Sequence, residues 1–400
     1  MNPYNIAFFI SFFLLAMISP VCCWAEGNAE SLNAHLLRGI ETCFAGDYDT
    51  AWTIFDEVKA IDPDHPSREF YQATVLFWKN NVDESNPRFD TQITALLLAC
   101  LKKSEMRIEK NEQDIEALHY MGLAYTYLGR MDAHRGKLYA GGVKGETGRT
   151  YLEKAIAYCR EAPGETTNSA CDICEDIYFP FGAYSYFSGR LPRLLRLFNF
   201  LWFIPKGSTE EGLKALSRAR ENGCLHQLGA RTLLTSIYVH FEKGRIRDAF
   251  SLSKELVTRF PNNPYLDLEH GRILILLGNY RDTAEHAETI LTKVHGKKDH
   301  YDHVVELGAK LLIAESALYG NNLNAADDLL QGISNQPRYQ NNTLTARIFL
   351  LKGQLADLMG KRDAAVSYYK SVLACEGHLH NRTANRAAAL YLDAPFTGIE

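Results

Sequence analysis

The 400-residue sequence predicts an all-α fold, in which antiparallel helix hairpins stack side by side into an α-solenoid. The first observation is a glycine five residues before a small residue (or Thr283), where an amphipathic stretch begins. The second is a further glycine seven residues ahead of several of these, and the third is a proline twelve residues after three of the small residues. The instances of the first pattern are Gly46 with Ala51, Gly244 with Ala249, Gly278 with Thr283, Gly320 with Ala325 and Gly360 with Ala365.

Each of these positions has a structural reason. Two helices pack closely only where a side chain is nearly absent, so glycine or alanine is needed where they cross. The turn between them favours glycine, because glycine adopts positive φ without strain. Pro63, Pro261 and Pro337 stand where the second helix must end, since proline cannot continue it. Five instances in register, two of them abutting at a spacing of 34 residues, therefore predict a repeat array.

In chain order, the pattern predicts hairpins on either side of a less regular middle section. Hairpins are predicted at 32–65, 230–263, 264–297, 306–339 and 346–379. Single helices are predicted at 66–78, 115–131, 177–187, 194–203 and 209–222. The last of these follows a capping sequence, Ser208-Thr-Glu-Glu211. The glycine-rich segment 140–148 is predicted to be a loop that interrupts the second helix after Gly129.

The repeating unit resembles the tetratricopeptide repeat (TPR), a 34-residue helix–turn–helix motif. The whole layout is similar to that of exported bacterial envelope proteins of the TPR class. The resemblance implies a superhelix whose concave groove is lined by the first helix of each unit and binds a peptide or a partner protein. The chain is accordingly divided into five parts. They are a signal peptide or anchor at 1–25, N-terminal TPR-like units at 26–149, a degenerate helical section at 150–229, the C-terminal TPR array at 230–385 and a tail at 386–400.

The family alignment also predicts which residues face the groove. Aromatic and arginine side chains are the usual anchors of binding surfaces, although some of these residues could instead pack against the adjacent hairpin. The predicted groove residues are Phe70, Phe77, Trp78, Arg231, Leu234, Tyr238, Phe241, Tyr265, Arg272 and Lys310.

The N-terminus predicts export. Ile6 to Ile18 is an uncharged apolar run of 13 residues, shorter than the roughly 20 that span a bilayer. That is the length of a signal-peptide core, and Ala25 is a plausible cleavage point. Because no Lys or Arg precedes the run, an uncleaved N-terminal anchor is the alternative. The expected location is the periplasm or cell envelope.

Export affects the interpretation of the cysteines, because an oxidising compartment favours disulfides. Cys171 and Cys174 have the spacing of a redox motif, but the strand–helix context of a thioredoxin fold is missing. We expect these two cysteines to form a structural disulfide or to remain unpaired buried thiols. The alternative is that they are the active-site cysteines of a thiol redox protein.

The most apolar stretch of the chain after the N-terminal segment is 191–205, which is flanked and interrupted by basic residues. One interpretation is a helix that docks on a membrane surface and makes the protein a membrane-peripheral adaptor. The other is a helix buried between neighbouring hairpins, which suits its nearly uniform hydrophobicity.

Composition and motifs argue against catalysis and against nucleic acid as a partner. The net charge of −5 is the wrong sign for a nucleic-acid binder, and no nucleophile elbow, phosphate-binding loop or zinc-protease motif is present. The histidine-rich segment 295–303 is expected to be a polar loop rather than a metal site. We therefore expect a non-enzymatic, cofactor-free scaffold for protein–protein interaction.

Overall fold

The computed structural model describes residues 21–84, 86–161, 171–190, 207–242, 244–336, 344–375 and 382–398. For Val21–Ser31 and Arg382 it describes the backbone alone. Residues 1–20 of the predicted signal sequence, and the apolar stretch 191–205 with its predicted helix 194–203, lie outside this part of the chain.

The described chain is helical, and its helices are numbered in chain order. They are α1 (Val21–Phe44), α2 (Tyr48–Ile61), α3 (Ser67–Asn80), α4 (Asp90–Lys110), α5 (Ile115–His134), α6 (Leu138–Glu161), α7 (Ile173–Asp176), α8 (Tyr178–Gly189), α9 (Thr209–Asn222), α10 (Gln227–His240), α11 (Ile246–Arg259), α12 (Pro264–Leu276), α13 (Tyr280–His295), α14 (His303–Tyr319), α15 (Leu323–Ser334), α16 (Thr345–Leu358), α17 (Arg362–Ala374) and α18 (Arg382–Asp393). A short 3₁₀ turn, Asn81–Asp83, follows α3. No helix in these ranges combines the length and apolarity needed to cross a bilayer.

The helices pack as a TPR-like α-solenoid, which confirms the predicted fold class. Each helix contacts its neighbours in sequence, and several also contact the next helix but one, as stacked hairpins do. The five predicted hairpins correspond to α1–α2, α10–α11, α12–α13, α14–α15 and α16–α17. The predicted cap of α9 is present as well, since Ser208 Oγ accepts a hydrogen bond from the Glu211 N–H.

The repeated glycines have the two roles expected from the sequence. Gly46, Gly244, Gly278 and Gly360 have φ between 71° and 88° in the turns of their hairpins. In the fourth hairpin Asn321 (φ 63°) takes the left-handed position instead of Gly320. At the crossing points a side chain would collide with the partner helix. A Cβ atom at Gly39 would lie 2.4 Å from the Phe55 ring, and one at Gly353 would lie 2.4 Å from the Tyr369 ring.

The predicted loop at 140–148 is wrong, because these residues form the first half of α6. Gly141, Gly145 and Gly148 are spaced by four and three residues, so they lie on one face of the helix. That face approaches α5 so closely that a Cβ atom at Gly129 would lie 2.8 Å from the Gly141 carbonyl oxygen. Gly129 is therefore an interhelical contact rather than the turn residue, and the turn glycine is Gly136 (φ 78°).

The array curls back on itself, so that the N-terminal hairpin touches the C-terminal array. Asn263 Nδ2 donates a hydrogen bond to the Phe44 carbonyl oxygen at 3.0 Å, and the Phe44 and Phe260 rings lie 5.5 Å apart. The histidine-rich segment takes part in this contact, since the His300 ring lies 4.5 Å from the Tyr48 ring. It is thus not simply a solvated loop. One continuous core runs from α1 to α12.

The predicted C-terminal tail is packed against the array. Its first residues belong to α18, and the Arg362 guanidinium donates hydrogen bonds to the carbonyl oxygens of Tyr391 and Leu392, at 2.8 and 2.9 Å. Phe396 is buried, and its N–H donates to Asp357 Oδ2 at 2.8 Å.

The close approach of α5 and α6 can be tested with a single methyl group. We expect Gly129→Ala to lower the free energy of unfolding by about 2 kcal/mol. The added Cβ would collide with backbone atoms of α6, which cannot shift without moving the helix. Gly332→Ala is the matched control. It lies within α15 with open space around its Cα, so we expect a gain of about 0.5–1 kcal/mol from helix propensity. Urea unfolding measures both values, and equal effects would contradict the proposed contact.

Candidate functional site

The curled array encloses a central cavity of about 1710 Å³. Helices α3, α5, α8, α10 and α12 form most of its wall, with contributions from α1, α2, α6, α13, α14, α16 and α18. Its lining is rich in aromatic side chains: Phe44, Phe55, Phe70, Tyr71, Phe77, Trp78, Tyr127, Tyr139, Phe179, Tyr184, Phe187, Phe241, Tyr265, Tyr280 and Tyr319.

A buried cluster of histidines and aromatic rings forms the floor of the cavity, at the N-terminal ends of the inner helices. His226, just before α10, lies with its Nε2 3.0 Å from His119 Nε2 of α5, so one ring donates a hydrogen bond to the other. The His226 ring stacks on Phe179 of α8 at 5.2 Å and on Tyr71 of α3 at 6.2 Å. The floor thereby joins four helices that are far apart in sequence.

Burial keeps both floor histidines neutral. It lowers the pKa of His226 to about 3 and holds the pKa of His119 well below its usual range. Asp176 anchors the segment before α10 by accepting hydrogen bonds from the N–H groups of Cys224, Leu225 and His226, at 2.9, 3.0 and 2.9 Å. Burial raises the pKa of Asp176 to about 6, and the three N–H donors oppose that shift.

Charged groups in the cavity wall are mostly neutralised within the wall itself. Arg130 of α5 forms an ion pair with Glu84, and Arg347 of α16 forms one with Glu315 of α14, with Nε donating to Oε1 at 2.6 Å. Arg272 and Glu269, one turn apart on α12, differ. Within the described chain Arg272 has no carboxylate within ion-pair distance, and Glu269 has a buried oxygen without a hydrogen-bond partner, with His240 Nε2 3.8 Å away.

Six of the ten predicted groove residues line this cavity. They are Phe70, Phe77, Trp78, Phe241, Tyr265 and Arg272. Among them, the Trp78 and Tyr265 rings pack edge to face at 5.7 Å across the junction of α3 and α12.

The other four predicted groove residues lie elsewhere. Arg231 forms an ion pair with Glu255 of α11, Leu234 is fully buried in the hairpin core, and Tyr238 packs under the Arg245 guanidinium, 3.9 Å from its ring centroid. Lys310 forms an ion pair with Glu306 one turn earlier on α14, at 2.8 Å.

On α10 the lining residues are Gly229, Thr232, Leu233, Ser236 and His240. At 100° per residue they lie on nearly the opposite face of the helix from the predicted Arg231, Leu234 and Tyr238, so the aligned pattern turned α10 by roughly 180°. Small and polar residues at spacings of three and four could have indicated the correct face.

The cysteines form two disulfides beside the cavity. Cys171 is bonded to Cys224, with Cα atoms 5.3 Å apart, and Cys174 is bonded to Cys159, with Cα atoms 5.9 Å apart. The two residues of the C-x-x-C sequence are therefore joined to different partners and not to each other. This arrangement ties α7 to the end of α6 and to the segment between α9 and α10, and it does not form a single redox-cycling pair.

Within the described residues, no group of three or more His, Cys, Asp or Glu side chains is arranged to hold a metal ion. The free thiol that lines the cavity, Cys43, is buried, and burial raises its pKa. It is therefore held as a thiol rather than as the nucleophilic thiolate.

The fold and the cavity define a solenoid of TPR-like helix hairpins closed around an aromatic chamber. No family model matches the chain, and no curated protein is significantly similar to it in sequence. Among solved structures, human IFIT1, as a dimer with m7Gppp-AAAA, is similar at a TM-score of 0.42 and 13% identity over 90% of this chain and 81% of that chain. Yeast Tom70 is similar at a TM-score of 0.38 and 13% identity over 89% of this chain and 81% of that chain. Likenesses at this level say nothing about the ligand or partner of this chain.

The disulfide between Cys171 and Cys224 closes a loop of 53 residues, so its removal should destabilise the fold. We expect the double variant Cys171→Ala, Cys224→Ala to lose about 3–4 kcal/mol in the free energy of unfolding, because the unfolded chain gains the freedom that the bond restricts. Cys375→Ala, which removes a half-buried free thiol, is the control and should lose less than about 1 kcal/mol. A loss of similar size in both variants, measured by urea unfolding, would argue against a structural role for the bond.

The neutral floor should make stability depend on pH. Between pH 6.5 and 3 the unfolded chain protonates His226 while the folded protein does not, so the free energy of unfolding falls as the pH drops. Asp176 acts in the opposite sense between pH 3.8 and about 6, because there the folded carboxyl binds the proton. In His226→Phe the Asp176 contribution remains, so we expect the loss between pH 7 and 4.5 to be smaller than in the wild type by about 2 kcal/mol. Parallel pH profiles of the two proteins in urea unfolding would show that His226 is not buried as described.

Proposed function

We propose that this protein is a non-enzymatic interaction scaffold of the cell envelope, which binds a segment of a partner protein in the central cavity. The observation that carries the proposal is the cavity itself. Its volume of about 1710 Å³ exceeds the roughly 300–1,000 Å³ of ordinary small-molecule pockets. Its lining is dominated by aromatic side chains, which supply large contact areas at protein interfaces.

The charges in the cavity favour a protein segment over a nucleic acid. Two of its three arginines are already paired with glutamates of the wall, and the chain as a whole carries a charge of −5. A polyanion would need unpaired cations along its path. Burial keeps the Cys43 thiol from ionising to the nucleophilic thiolate, and it leaves His226 a weak base because its pKa is lowered to about 3.

Export to the periplasm or another oxidising part of the envelope, as in the bacterial envelope class of TPR proteins, is part of the proposal. Two disulfides support it, because such bonds persist in oxidising compartments and are rare in the cytosol. The apolar run from Ile6 to Ile18 supports it independently.

Plugging the cavity tests the proposed function. Thr232 and Ser236 are half-buried lining residues on α10, so Thr232→Trp or Ser236→Trp fills the chamber. We expect the full-length chain to capture a partner from envelope extract and each plugged variant to capture at least about tenfold less, since a segment and an indole cannot occupy the same space. Thr258→Trp, on the exposed side of α11, is the control and should capture as the wild type does. The same captured set with all four proteins would refute the cavity as the binding site.

A further inference from the structure

Helix α12 presents two opposite charges to the central cavity, on side chains three residues apart. Glu269 and Arg272 both line the cavity. The Glu269 Oε1 atom is buried and has no hydrogen-bond partner in the described chain. The Arg272 guanidinium has no carboxylate of that chain within ion-pair distance. Side chains at this spacing lie on the same face of a helix, with Cβ atoms about 5–6 Å apart, so the two groups belong to one site.

His240, at the end of α10, does not neutralise the Glu269 carboxylate. Its Nε2 atom lies 3.8 Å from Glu269 Oε1, which is longer than a hydrogen bond. Burial and the nearby Arg272 guanidinium lower the pKa of His240, so the imidazole is uncharged at neutral pH. The Glu269 side chain keeps 12% of its surface exposed, and it lines the cavity, so a ligand there can reach it.

The other charged pairs of the described lining need nothing from a ligand. Arg130 is paired with Glu84, and Arg347 is paired with Glu315. A charge that faces apolar surroundings without a partner is costly. Proteins keep such local costs mainly at functional sites. Glu269 and Arg272 are therefore the groups of the wall that a ligand would complete.

Aromatic rings surround the two charged groups. Tyr265 lies one turn before Glu269 on α12, and its ring packs edge to face on the Trp78 ring of α3, with centroids 5.7 Å apart. Phe241 follows His240 directly, and all three rings line the cavity. A ligand whose charged end lies at α12 thus has aromatic surfaces against the rest of its body, which favours an aromatic body in the ligand.

The two charges restrict the chemistry of that ligand further. The Glu269 carboxylate needs a hydrogen-bond donor, so its partner is an ammonium group with N–H bonds and not a quaternary ammonium group. The Arg272 guanidinium is matched by a carboxylate, which can accept two parallel hydrogen bonds from it. Because the two side chains are one helical turn apart, the ligand must carry both charges within a few bonds of each other.

We propose that Glu269 and Arg272 form a subsite for an α-amino acid with an aromatic side chain, whose ammonium group binds Glu269 and whose carboxylate binds Arg272. The aromatic ring of the ligand packs against Tyr265 and Trp78. One such molecule fills only a small part of the 1710 Å³ of the cavity. The subsite does not depend on whether a segment of a partner protein also enters.

Three compounds test the charge recognition. Phenylalanine carries both charges, N-acetylphenylalanine lacks the cation and phenylalaninamide lacks the anion. We expect the full-length protein to bind phenylalanine about tenfold or more tighter than either analogue in isothermal titration calorimetry, because each analogue leaves one buried charge unpaired. Glycine, which has both charges but no ring, should also bind about tenfold or more weaker than phenylalanine.

Two variants assign the charges to their residues. Glu269→Gln should abolish the preference over N-acetylphenylalanine and keep the preference over phenylalaninamide, and Arg272→Gln should do the reverse. The matched controls are Glu285→Gln and Arg281→Gln, the same two substitutions at an exposed ion pair of α13 outside the cavity. Both controls should bind all the compounds as the wild type does. Circular dichroism and melting curves check that each variant is folded.

The outcomes bear on the subsite alone. Absence of binding of phenylalanine, or equal affinities for the three compounds, would overturn it. Loss of both preferences together in each variant would also overturn it, since that result indicates a general change in the cavity and not recognition of separate charges. Capture of a partner protein is measured separately with Thr232→Trp and Ser236→Trp, so the proposed function can fail while the subsite stands, and the reverse.

Discussion

The structure depends on helix pairs that approach more closely than side chains normally allow. At Gly39, Gly122 and Gly353 a single Cβ atom would collide with a ring or a branched side chain of the partner helix, at 2.4 Å in each case. Because the contact is made at the crossing point, the missing side chain sets both the spacing and the angle within a hairpin. Repeating that geometry along the chain generates the curvature of the solenoid.

That curvature brings α1–α3 against α12 and the segments on either side of α12 and α13, and these contacts close the solenoid around the cavity. Asn263 binds the Phe44 carbonyl group, His300 packs on Tyr48, and Trp78 packs on Tyr265. The two disulfides restrain the irregular part of the wall around α7, where the repeat is weakest. Rigidity of this kind reduces the entropy lost on binding, so a preformed cavity suits the proposed interaction scaffold.

The sequence was sufficient to predict features that depend on neighbouring residues, and insufficient to predict features that depend on contacts between distant ones. Hairpin positions, turn glycines such as Gly46 and the cap at Ser208 follow from spacing and backbone preference within a few residues. The loop predicted at 140–148 was wrong because three glycines in nine residues also suit a closely packed helix, and the choice depends on α5 opposite. The face of α10 and the partners of Cys171 and Cys174 depend on contacts between residues far apart in the chain. No pattern in a single sequence records such contacts.

The same distinction explains why only part of the cavity lining could be predicted from the sequence. Phe70, Phe77 and Trp78 were predicted because the resemblance to the TPR places them at groove-facing positions, and aromatic residues are common anchors of binding surfaces. Arg272 was predicted for the groove as well, but the sequence could not show that the other two arginines of the lining, Arg130 and Arg347, are paired with Glu84 and Glu315. Nor could it show that the Glu269 carboxylate, one turn before Arg272 on α12, has a buried oxygen without a hydrogen-bond partner. Which charges of the lining are paired is a property of the assembled array, because it is set by contacts between residues far apart in the chain.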